Sequence, residues 1–176
     1  MDAQQLKALQ SPLKDQYRTT PTAARITLRG KGAVDDSAIV CKVETGRSVA
    51  LAGLHPATGG SGFELCSGDM LLEALVACAG VTLKAAATAL EIPLARAQVF
   101  AEGDLDFRGM LGVDKSASVG FEAIRLKFEI DSPADKDKLD QLLRLTERYC
   151  VVLQTPKGSA TVAASLANQA PTGGNV

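Results

Sequence analysis

The sequence has almost no excess charge: nineteen lysines and arginines stand against twenty aspartates and glutamates, a formal net charge of −1. Without a field of one sign the chain has nothing to gather nucleic acid, phosphate or anionic lipid, so neither nucleic acid nor membrane is an expected partner. It has one histidine, His55, set before a proline. Metal sites need clustered ligands, so His55 reads as a loop residue and no metal or cofactor is expected. No C-x-x-C pair occurs among the four cysteines, Cys41, Cys66, Cys78 and Cys150, which excludes a zinc ribbon and a thioredoxin-type motif. The opening MDAQQLKALQSPLKDQ lacks the basic-then-apolar layout of a secretory signal, which points to the cytoplasm. In that reducing setting a static disulfide framework is not expected, leaving structural thiols or redox-active ones. The GGSG at 59–62 lacks the Lys-Ser/Thr of a phosphate loop, and no G-x-G-x-x-G opens the following helix, so nucleotide binding is set aside.

What the chain does have is 46% apolar residues over 176 positions, enough for one compact core. Residues 1–23 read as an N-terminal extension with Leu6, Leu9 and Leu13 at helical spacing, interrupted near Pro12. Three strand-like runs follow, ARITLRG (24–30), SAIVCKVE (37–44) and RSVALAG (47–53), joined by short Gly- and Asp-containing connections. Cys41 alternates with Ile39 and Val43 and reads as core. After a Gly-rich loop, Ser67 is the expected cap of a helix reaching about Leu90, with Asp69 in its first turn and Pro93 beyond its end. The helix is apolar nearly all round. Glu73 and Lys84 inside it, and the absence of an aromatic belt, argue against a membrane span and for a helix buried by protein.

ARAQVFAEGDLDF (95–107) and FEAIRLKFEI (121–130) alternate cleanly and predict a hairpin of two long strands. Ser132, Pro133 and Asp135 announce a second helix carrying Leu139, Leu142, Leu143 and Tyr149 and ending near Cys150. SATVAASL (159–166) is read as a closing strand, and 168–176 as a disordered tail. The order predicts an α+β fold with mainly antiparallel sheets around a long buried central helix. An all-apolar helix of this length is hard to bury in one small sheet, so a homodimer is expected.

Cys78 lies past the first turn of its helix and gains little from the helix dipole. A free thiol near pKa 8.5 is only a few per cent thiolate at pH 7, so a reacting Cys78 needs an activating partner. Arg25, Arg29, Arg47, Arg96 and Arg108 are the candidates, and periodicity does not choose among them. Cys66, beside the Gly-rich loop, is a further thiol that could react or pair.

SGDMLLEALVAC, followed about seventy residues later by LTERYCVV, resembles the OsmC/Ohr family of osmotically inducible and organic hydroperoxide resistance proteins. The match runs in order over roughly residues 24 to 166 and includes RGKG at 29–32, within an expected domain at 24–167. The resemblance implies an intertwined homodimer with Cys78 as peroxidatic thiol, Cys150 as resolving thiol and Arg29 as activating arginine. It implies reduction of organic hydroperoxides, with a dithiol as reductant. Where the family carries a catalytic glutamate stands Gly68, and Asp69 beside it is the carboxylate implied in that role. Val151 stands where the family usually has proline after the second cysteine. The alternative is an OsmC-like dimer that binds a small apolar or electrophilic ligand near Cys78 without turnover.

Overall fold

A computed structural model describes residues 2–25, 27, 31–34, 40–44, 48–158 and 160–165. Helix α1 (Ala3–Thr19) is opened by a capping box, the Asp2 carboxylate accepting the Gln5 N–H at 2.7 Å. Contrary to expectation α1 runs unbroken through Pro12. The ring removes one backbone donor but leaves the rest of the ladder in place.

Strands β1 (Lys31–Val34), β2 (Val40–Glu44), β3 (Val49–Gly53) and β4 (Leu65–Cys66) form one sheet in that order. Pairs β1–β2 and β2–β3 are antiparallel, and β3–β4 is a two-residue parallel bridge that has no pattern of its own in the sequence. The first described strand occupies KGAV, in the expected connection, and of ARITLRG residues 26 and 28–30 lie outside the described residues. Pairing with β2 determines this strand, overriding the weak propensity of its glycine. The antiparallel pair β5 (Arg96–Asp104) and β6 (Ala123–Asp131) is the expected hairpin. Val99 faces Phe128 and Ala101 faces Leu126, while Glu102 opposite Arg125 lies on the outer face.

Helix α2 (Ser67–Ala89) starts one residue earlier than a Ser67 cap would have it, with Cys66 as N-cap and no side-chain capping bond. Its buried residues are Leu75, Ala79, Leu83 and Ala87, one every fourth position. That single stripe packs on β5 and on helices α4 (Lys136–Tyr149) and α5 (Val151–Lys157). Leu83 and Leu142 anchor one core cluster with Ala87 and Ile92, each leucine contributing about 1.5–3 kcal/mol by burial. The expectation of a helix buried on most sides is not met within one chain: Val81, on the opposite face, is 72% exposed, and Leu71, one turn before Leu75, is 49% exposed.

A short turn of helix, α3 (Phe107–Met110), follows β5. Asp135, not Ser132, caps α4 by accepting the Lys138 N–H at 2.9 Å. The Ser132 hydroxyl is engaged elsewhere, donating to the Pro93 carbonyl at 2.7 Å and tying the end of the β6 strand to the turn after α2. Helix α4 breaks at Cys150, whose extended ψ of 104° lets α5 start afresh. Of the closing strand expected at 159–166, the described residues 160–165 form an exposed, non-strand segment, and 159 and 166 lie outside the described residues. The segment 168–176 lies outside the described residues.

Candidate functional site

Two cysteines far apart in sequence meet where α2 crosses the α4–α5 junction. Cys150 is fully buried in a cluster with Leu75 and Ala79, and the half-buried Cys78 packs on the same cluster with Val152 and Leu153. Cys78 is adjacent to the buried stripe, since Ala79 next to it is the fully buried position. Cys150 is placed by the break between helices: it ends α4, where its N–H donates to the Thr146 carbonyl at 3.0 Å, and begins α5.

The first three N–H groups of a helix have no partner within it. In α5 those of Val151 and Val152 are directed at the Cys78 sulfur. Burial pushes the Cys78 thiol up, but donation from the Val152 N–H, the Cys150 side chain, the Val151 N–H and Thr82 more than offsets it, leaving the thiol below its ordinary range. Cys150 moves the other way. Burial raises it, the Leu153 N–H draws it back in part, and the neighbouring Cys78 sulfur raises it further. The pair therefore favours an anionic Cys78 beside a protonated, donating Cys150.

Thr82 is a residue the sequence reading passed over. Its hydroxyl donates to the Cys78 carbonyl at 2.8 Å and also lies by the sulfur, so its single proton serves one acceptor at a time. Its position four after Cys78 was the available signal. The two valine amides had none, because side-chain patterns carry no trace of which backbone donors a fold aims at a sulfur.

The other expected site residues are not gathered here. Asp69 is nine positions before Cys78, so it points to the opposite side of α2 and stands roughly 13 Å away along the axis. It lines a separate cleft with Cys66 and His55. Arg29 and Arg47 lie outside the described residues. Arg108 is held by Asp106 and Asp114, and Arg96 by Gln98. Among the described residues the principal groups lowering the Cys78 thiol are neutral donors.

A family model described as OsmC-like protein matches residues 59–165. Among solved structures, the chain is similar to an OsmC-like protein from Mycoplasma pneumoniae, with a TM-score of 0.62, 16% identity, and 76% of this chain and 89% of that one covered. It is similar to an organic hydroperoxide resistance protein, predicted redox protein and regulator of sulfide bond formation from Legionella pneumophila, with a TM-score of 0.60 and 13% identity over 76% of this chain and 93% of that one. The organic hydroperoxide resistance protein of Bacillus subtilis has a TM-score of 0.50 and 15% identity over 74% and 92%. At such identities the likeness is one of fold. No curated protein matches the chain significantly.

Proposed function

The chain belongs to the OsmC family, and on that premise we propose that it is a thiol-dependent peroxidase reducing organic hydroperoxides through Cys78 and Cys150. The observation that carries this reading is the pair itself: two thiols in contact, one drawn down and the other pushed up. The Cys78 thiolate attacks the terminal oxygen of the hydroperoxide, the O–O bond breaks, and the departing alkoxide takes a proton and leaves as the alcohol. The sulfenic acid on Cys78 condenses with the Cys150 thiol, releasing water and forming a disulfide. A dithiol then exchanges with that disulfide and returns both cysteines to thiols, itself becoming oxidised.

The same proposal includes a cytoplasmic homodimer with the substrate reaching Cys78 at the subunit boundary. Support for it comes from the unpartnered apolar face of α2, where Val81 is exposed beside Ala74 and Ala77. Arg29 retains the role of activating cation, holding the thiolate and orienting the peroxide. Asp69 can serve Cys78 only from the second copy, because within one chain it faces away.

The test is turnover of cumene hydroperoxide by the reduced protein with a dithiol, followed as peroxide loss. Cys78→Ser is expected to abolish it, and Cys150→Ser to allow one oxidation of Cys78 without a disulfide. Equal rates for the native chain and Cys78→Ser would refute the proposal. Mass mapping of the oxidised chain is expected to join Cys78 to Cys150, not to Cys66.

A further inference from the structure

The face of α2 that forms the core continues toward the start of the helix, but past Leu75 the packing stops. There Leu72 and Gly68 look onto the end of the β5–β6 hairpin, and Leu105, Phe107 and Phe121 complete the wall of a cleft of about 370 Å³. This volume lies within the span of small-molecule pockets, about 300–1,000 Å³. Two glycines keep it open. A Cβ on Gly68 would stand 3.5 Å from both the Cys66 sulfur and the Phe121 ring, so any longer side chain there would project into the space. A Cβ on Gly103 would meet Phe121 at 2.4 Å, so only glycine lets that ring lie against the strand.

The aromatic wall is held in place. The Phe107 ring is stacked on His55 with centroids 5.0 Å apart and planes 19° from parallel, and His55 Nδ1 accepts the Ala57 N–H at 3.0 Å. Two carboxylates and no lysine or arginine are among the described residues that line the cleft. Asp104 is bonded to Arg125, whereas Asp69 is exposed and has no ion-pair partner among the described residues. Asp69 also offsets the positive end of α2, so the mouth does not favour an anion.

We propose that this cleft is a binding site for a small molecule that carries one aromatic ring and a protonated amine. The ring packs on Phe121 and Phe107, and the ammonium group pairs with Asp69. Within one chain the site is separate from the thiol pair, since Cys78 is on the opposite side of α2 from Asp69, and its occupancy requires neither cysteine to react.

Calorimetric titration of the full-length protein with phenethylamine, and with 3-phenylpropionate as the anionic counterpart, tests it. The ammonium compound is expected to bind about tenfold tighter than the carboxylate. Gly68→Leu is expected to remove binding, and Asp69→Asn, an exposed change that leaves the fold intact, to weaken it about threefold. Cys78→Ser is expected to bind as the native chain does, which separates this site from the peroxidase reading. Absence of phenethylamine binding up to about 10 mM, equal binding of the two compounds, or binding unaltered by either cleft variant overturns the proposal.

Discussion

The two faces of α2 are equally apolar in sequence and entirely different in structure. Leu75, Ala79, Leu83 and Ala87 are packed out of water, whereas Val81, midway along the same helix on the opposite side, is nearly three-quarters exposed. Composition makes both faces candidates for burial, but one chain supplies β5, α4 and α5 to cover only the first. Cys78 sits on the boundary between them. Its sulfur is reached by donors from the packed side while its other flank is left uncovered, which suits a thiol that must be activated by the fold and still meet a substrate.

Truncation separates the two faces most sharply. Leu83→Ala, leaving a void in a fully packed cluster, is expected to cost about 2–5 kcal/mol in urea unfolding. Val81→Ala, on the open face, is expected to change the stability of a single chain by less than about 0.5 kcal/mol. A similar cost at both positions would show that the second face is covered within the protein as it exists in solution.

Charge at the open face is the next largest perturbation. Val81→Asp is expected to convert a dimer to monomers in sedimentation equilibrium, because a carboxylate buried without a partner disfavours the associated state. If the native protein sediments as a monomer, the covering of this face by a second copy is wrong.

The boundary itself is sharpened by pH. Cys78, drawn down despite its burial, is expected to be alkylated with a midpoint below that of a free thiol, and Cys150, raised by burial and by Cys78, with one above it. Rates of iodoacetamide modification against pH, resolved by peptide mass, check both directions. In stability the two oppose. The Cys78 contribution is present above the unfolded thiol pKa and lost as pH falls through its lower folded value. The Cys150 contribution is present below the unfolded pKa and lost as pH rises through its higher folded value. The smallest expected effect is Thr82→Val, which removes one shared donor and should move the Cys78 midpoint upward by less than about one unit. A midpoint unmoved by Thr82→Val would assign that hydroxyl to the Cys78 carbonyl alone.

Much of the fold was legible because its signals are local. Strict alternation in ARAQVFAEGDLDF and FEAIRLKFEI marked the hairpin, and the long apolar run marked α2. The elements with no signal of their own share a different cause. β1 exists through its pairing with β2, β4 is two residues bridged to β3, and α5 begins only because the chain breaks at Cys150. In each case a distant segment, not the local pattern, decides.

For the site, the sequence alone determined that Cys78 lies mid-helix, that Cys150 ends a later helix, and that Asp69 and Cys78 are half a turn out of phase, since helical geometry follows from spacing. Only the tertiary structure decided that the two sulfurs meet, that backbone amides of Val151 and Val152 are directed at the Cys78 sulfur, and that the end of the α2 stripe is left as an open cleft. Contacts between residues some seventy positions apart depend on how helices cross and on where packing runs out, and neither is written in the period of any one segment.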